Sequence, residues 1–367
     1  MARKLSKEAS IVLCNGPINL NYAVTSISAE TTDEEVLKQS LRSKSPPDVT
    51  IHVRGSAPLS FGTSLVSVGN MVYCIGGSNS DKSSGFLASK EVRRFDPNKP
   101  ELELDCNHPP MNQGRFFPAV VALQMIIYVF GGLSQTDSNN SPYAECLDTK
   151  KPKHRQKWKP LTEPPNRLSL DFPPFAIPYE ANTVLIGSSD ICMGTTILIG
   201  SRHVAQGALL YGVHNGVWNE YLFNPVSMST IQVLNPVSVV WEKTIYWVDE
   251  RYIYAYDLDK HILYVGYTNE SVLYDFGRGF DTTRMGPVLM HLQENIFCCF
   301  TVYVEDPLGP SRTGVVECTK FRVTKYNQQS ADAGVLHLQA MGYQSYRCEN
   351  MCELSSVLRI HARQDSQ

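Results

Sequence analysis

One pattern constrains this chain more than any other: a short apolar hairpin that ends in paired glycines and returns after about 55 residues. Thr63-Ser64-Leu65-Val66-Ser67-Val68, a turn at Gly69-Asn70, then Met71-Val72-Tyr73-Cys74-Ile75 leads into Gly76-Gly77. Pro118 to Leu123, a turn at Gln124-Met125, then Ile126-Ile127-Tyr128-Val129-Phe130 leads into Gly131-Gly132. Tyr73 and Tyr128 occupy the same place in the two copies. A weaker third copy runs from Phe175 to Ser188 with a single Gly187. Val237–Val248 and Val288–Phe300 repeat the hairpin without the glycines.

A second unit lies between the hairpins. Val92 to Asp96, Ala144 to Asp148 and Ile253 to Asp257 are alternating runs closed by Asp, which bonds its own backbone in turns. Trp158 and Trp218 then open an outer strand in two copies. Two hairpins per repeat give four strands, and only Thr32 to Leu41 carries a helical period. Evenly spaced strands repeating every ~50 residues predict an all-β propeller.

The residues from Asn112-Gln113-Gly114-Arg115 through Gly131-Gly132, Asp148 and Trp158 resemble a kelch repeat, most closely in the wording of plant kelch proteins. The clear resemblance covers residues 60–165, with weaker blades over 166–362. In the first copy the tryptophan is missing, with Leu102 or Leu104 nearby. The expectation is a single kelch-type β-propeller over residues 1–367, of six four-stranded blades. The sixth would be built jointly from a C-terminal strand, Leu354 to His361, and the strands Ser10 to Cys14 and Leu20 to Ser28. Residues 29–47 read as a loop or short helix. The paired glycines permit sharp turns, and the Tyr and Trp residues supply packing surface between blades.

Composition excludes several classes. A formal net charge of -3 offers no general attraction to nucleic acid or anionic lipid. The apolar run Ile11 to Cys14 is broken at Asn15-Gly16-Pro17, which predicts no signal peptide, and no stretch reaches the roughly 20 apolar residues of a membrane helix. The ten cysteines form no CxxC pair and suit buried thiols in a cytoplasmic, or also nuclear, protein. Lys150 to Lys157 is a basic run that reads either as an import patch or as a solvated turn. No Leu-Pro-x-Asp helical box occurs in the first 60 residues, so no F-box is expected.

Catalytic signatures are absent: no GxSxG, HExxH or dinucleotide fingerprint occurs, and Gly277-Arg278-Gly279 lacks the Lys-Ser/Thr of a phosphate loop. Asp257 and His261 have the spacing of the iron site in plant kelch-type specifier proteins, but Ile253 stands where that site needs a Glu. No metal and no cofactor are therefore expected. Variable loops at 78–90, 133–143, 188–206 and 305–314 open on one face of the expected ring. The resemblance places Arg115 at a pocket rim, with Arg284 as its counterpart in the fifth blade. Such an Arg either clamps a carboxylate or bonds neighbouring backbone carbonyls. Asp190, Arg202 and His203 complete the candidate ligand-binding set. Two functions compete: a monomeric scaffold that grips a protein segment or small ligand, and a plant specialised-metabolism enzyme using Arg115, Asp190, His203 and Arg284 at the channel mouth.

Overall fold

The computed structural model describes residues 8–15, 19–28, 49–51, 56–81, 85–99, 103–132, 141–165, 174–180, 182–188, 207–222, 239–248, 252–267, 287–304, 313–327, 333–349 and 356–360. The expected loop or helix at 29–47 lies outside these residues. Among those described the fold is all-β, built from several four-stranded antiparallel sheets, and consistent with a β-propeller. No helix among them is long and apolar enough to cross a membrane.

The chain opens with β1 (Glu8–Asn15) and β2 (Asn19–Ser28), followed by β3 (Val49–Ile51) and β4 (Ser56–Pro58). Next come β5 (Thr63–Val68), β6 (Met71–Gly76), a ribbon of β7 (Ser78–Asp81) and β8 (Gly85–Ala88), and β9 (Val92–Phe95). The strands β10 (Ala119–Leu123), β11 (Ile126–Phe130), β12 (Ala144–Asp148) and β13 (Lys159–Pro160) form one meander; β14 (Pro174–Glu180), β15 (Thr183–Ser188), β16 (Gly207–Gly212) and β17 (Val217–Leu222) form another. The pattern continues through β18 (Val239–Trp241), β19 (Thr244–Val248), β20 (Tyr252–Asp257) and β21 (Ile262–Tyr267). Then follow β22 (Val288–Gln293), β23 (Ile296–Val304), β24 (Thr313–Tyr326) and β25 (Ala333–Glu349). Last is β26 (Ser356–Ile360), which pairs antiparallel with β1 from Ser10↔Ile360 to Cys14↔Ser356, in a sheet ordered β26-β1-β2-β4.

Three details depart from four equal strands per repeat. The segment read as a loop at 78–90 contains the two-stranded ribbon β7-β8. The repeat that lacks tryptophan has only the bridge Arg94↔Asp105 where its fourth strand would be. The last two meanders merge into one nine-stranded sheet, because β25 pairs in parallel with both β21 and β3.

The first strands of the meanders touch in order: β5 meets β10, β10 meets β14, β14 meets β18, β18 meets β22, β22 meets β26 and β26 meets β5. The buried apolar clusters follow the same order. Val66, Tyr73 and Ile75 pack on Ile127, Leu147 and Trp158. Tyr128 and Phe130 pack on Val184 and Tyr211, with Trp218 against them. Ile177 and Leu185 meet Trp247 and Tyr256. Tyr246 and Tyr264 meet Phe297 and Phe321. Met290 and Phe300 meet Ile11 and Leu13, and Val12, Cys14 and Ile360 meet Val72, Cys74 and Phe95. The second strands of the meanders, such as β6, β11 and β19, are thus buried on both faces between neighbouring sheets, which explains their near-continuous apolar reading. Tyr73, Tyr128, Trp158 and Trp218 all take the packing role read from the sequence, and the two indoles donate to backbone carbonyls of Pro109 and Thr162.

The hairpin turn Gln124-Met125 holds both residues in the left-handed region (φ 51 and 67), the geometry of a two-residue turn that favours glycine. Met125 is 42% exposed, so its side chain contributes little packing. Met125→Gly is expected to raise stability by about 0.5–1 kcal/mol, as relief of left-handed strain outweighs the added freedom of the unfolded chain. A urea midpoint equal to or below the wild-type value contradicts this.

Candidate functional site

Arg115 sits at a bridge to Ser89, between the ribbon β7-β8 and the start of β10, and is 2% exposed. All five of its side-chain N–H groups are engaged. Nε and Nη2 donate to Glu145 Oε1 at 3.2 and 3.1 Å. Nη1 donates to the carbonyls of Gly131 and Tyr143 at 2.6 and 2.9 Å, and Nη2 to that of Pro142 at 2.8 Å. Glu145, fully buried on β12, also accepts from Asn112 N, Asn112 Nδ2 and Gln113 N. Burial pushes the guanidinium pKa down, the facing carboxylate opposes the shift, and the guanidinium stays charged.

Arg115, a ligand-binding candidate in the sequence, has these donors engaged within the protein. Its donors serve Glu145 and the neighbouring carbonyls, the second of the two roles the sequence leaves open. The same residue explains the paired glycines. Gly77 N donates to Arg115 O at 2.9 Å, and a Cβ on Gly76 would lie 2.4 Å from that oxygen. Backbone approach, as well as φ of +70 and +102, demands glycine at 76 and 77. Asp190, Arg202, His203 and Arg284 lie outside the described residues.

Asp257 is an ordinary turn residue: Oδ1 accepts from Asp259 N and Lys260 N, while Oδ2 faces Lys260 and Lys325 at 3.8 and 3.6 Å. His261 instead meets the Tyr256 hydroxyl through Nδ1. No group of three His, Cys, Asp or Glu able to hold a metal occurs among the described residues. The basic run forms a folded turn whose Gln156 amide bonds the carbonyls of Thr149 and Lys151, with Lys153 bound to Asp105. That bridge, led by the Lys153 hydrogen bond, lowers the Asp105 pKa to about 2. Cys74, Cys106, Cys146, Cys298, Cys299, Cys318 and Cys348 are free thiols. Burial raises Cys74 and Cys348 to about 12, which keeps them protonated and unreactive.

The same loops present a feature the sequence reading passed over. Phe61, just before β5, and Phe116-Phe117, just before β10, bring three rings together, with centroids 5.4, 5.3 and 4.4 Å apart. Phe61 is 39% exposed and the other two are half-buried. Phe117 has φ 51, a conformation that a bulky residue adopts at a cost of about 1–3 kcal/mol. Its N–H bonds Gly62 O at 2.8 Å, and a Cβ on Gly62 would strike the Phe116 ring at 2.4 Å. A small depression beside Ser60 is lined by Thr63, Gly76, Glu91 and Arg93. On its wall Arg93 Nε donates to Glu91 Oε2 at 3.1 Å. The strained Phe117 backbone thus holds the ring cluster at the loops that enter β5 and β10. The available signal was a Phe-Phe pair directly after the Arg of the repeat.

No family model matches the chain. An F-box/kelch-repeat protein of Arabidopsis thaliana is 26% identical over 160 residues. The likeness is to a kelch-repeat protein. It covers 42% of this chain and 36% of that relative, so the match spans little more than a third of the relative's length.

Proposed function

We propose that the chain is a kelch-type propeller of six blades, closed by the pairing of β26 with β1, that serves as a binding scaffold for a protein segment at its loop face. The cyclic order of first-strand contacts and of apolar clusters supports the ring. The observation that carries the function is the partly exposed Phe61–Phe116–Phe117 cluster, positioned by the loops that enter β5 and β10. Buried thiols suit a reducing compartment, cytoplasmic or nuclear. The catalyst reading gains no observation from the described residues and is not developed.

The test is selection of a random peptide library on the full chain, followed by affinity measurement with labelled peptides. Phe61→Ser removes the most exposed ring, and a tenfold or greater loss is expected, about 1.4 kcal/mol or more. Selected peptides that bind Phe61→Ser as well as wild type would overturn the assignment of the surface.

A further inference from the structure

Among the described residues the ribbon β7-β8 is a sheet of two strands. Its pairing fixes which backbone groups point inward. Ser89 N donates to Gly77 O, so Gly77↔Ser89 is a hydrogen-bonded position. Alternation along the register Ser78↔Ala88, Asn79↔Leu87, Ser80↔Phe86, Asp81↔Gly85 then makes Asn79 and Asp81 inward-bonded. The N–H and C=O of Ser78 and Ser80 face away from β8. Ser78 agrees: its N–H leaves the ribbon and donates to Phe61 O at 2.8 Å.

The two edges of the ribbon differ. The β8 side is occupied where it meets the repeat motif, through the Ser89↔Arg115 bridge and the close approach of Gly114 to Ala88 O. On the β7 side, among the described residues, pairing ends with the Ser78 to Phe61 bond. The next outward pair, Ser80 N–H and C=O, lies about 6.8 Å further along. An isolated two-stranded ribbon is marginal, and a third strand is what such an edge accepts.

We propose that the outer edge of β7 is a strand-acceptor site: an extended segment of a partner protein pairs with Ser80 and sets an apolar side chain on the Phe61–Phe116–Phe117 rings. This rests on the loop-face reading above and deepens it. The occupant is a polypeptide because an N–H and C=O that face away from β8 on one strand edge are matched by the alternating donors and acceptors of an extended backbone. It is apolar at one position because the edge runs directly into the rings: the residue that ends the pairing, Phe61, is itself a member of the cluster. Backbone bonds then supply affinity that tolerates sequence, and the rings supply the preference.

Ser80→Pro tests this on the full chain. Proline removes the outward N–H and leaves the inward bonds of Asn79 and Asp81 in place, so the ribbon itself is kept. With peptides selected on the wild-type protein, Ser80→Pro is expected to weaken binding about tenfold, and Ser80→Ala by less than about twofold. Methylation of a single peptide backbone nitrogen is expected to reproduce the loss on the unmodified protein, which gives a readout independent of how the proline variant folds. If Ser80→Pro and the N-methylated peptides bind normally while Phe61→Ser still loses affinity, the strand-acceptor site is wrong and the loop-face reading survives. If Phe61→Ser also binds normally, or no peptide is enriched, both fall.

Discussion

Glu145→Ala is expected to lower the stability of the fold by about 3–5 kcal/mol, read as a fall in the urea midpoint followed by tryptophan fluorescence. The substitution removes one carboxylate but strands several partners. Arg115 keeps its charge in a site where it is 2% exposed, with Nε and one Nη2 bond unmade. The amides of Asn112 and Gln113 lose their acceptor as well. A buried charge without its partner is far more costly than an exposed ion pair is valuable, so the expected loss exceeds any single contact. Arg115→Lys is also expected to destabilise, since an ammonium with three donors cannot replace five bonds made to four oxygens by a planar fork. A Glu145→Ala variant within about 1 kcal/mol of wild type would mean that the pair does not hold the two glycine doublets together.

Parts of this arrangement were legible from residues alone. The repeating doublets Gly76-Gly77 and Gly131-Gly132, with Tyr73, Tyr128, Trp158 and Trp218, located strands and packing surfaces, because both depend on local period and side-chain size. Glu145 was not legible. It occupies one position in an alternating strand, and its burial is decided by Arg115, which lies on a different loop. The ribbon β7-β8 was read as a loop because Ser, Asn and Gly favour turns. Bonds from Ser78 N–H to Phe61 O and from Gly77 N–H to Arg115 O set it in place. The union of β21, β25 and β3 likewise depends on register between distant segments, to which local periodicity is blind. The site choice leaned on charge, singling out Arg115, whereas the exposed chemistry beside it is aromatic, at Phe61, Phe116 and Phe117.

Ending the chain before Ser356 is expected to prevent folding at ordinary temperatures. The five residues of β26 are short, yet every neighbour depends on them. Val12, Leu13 and their flanks lose a pairing partner along β1, from Ser10 to Cys14. Ile360, 2% exposed, is removed from the cluster of Val12, Cys14, Val72, Cys74 and Phe95, and Val357 from that of Ile11, Leu13 and Phe300. Arg359 no longer donates to Leu292 O. Burial of one such side chain is worth about 1.5–3 kcal/mol. Losing Val357, Leu358 and Ile360 with the strand bonds is therefore comparable to the ~5–15 kcal/mol by which most domains are stable. The strand also touches both β5 and β22, so its loss interrupts the cycle of first-strand contacts between them. Circular dichroism melting and size-exclusion chromatography read the outcome, and a synthetic peptide covering residues 350–367, added in trans, is expected to restore a cooperative transition. A truncated chain that melts like the full one, with no response to the peptide, would show that the fold does not depend on this strand.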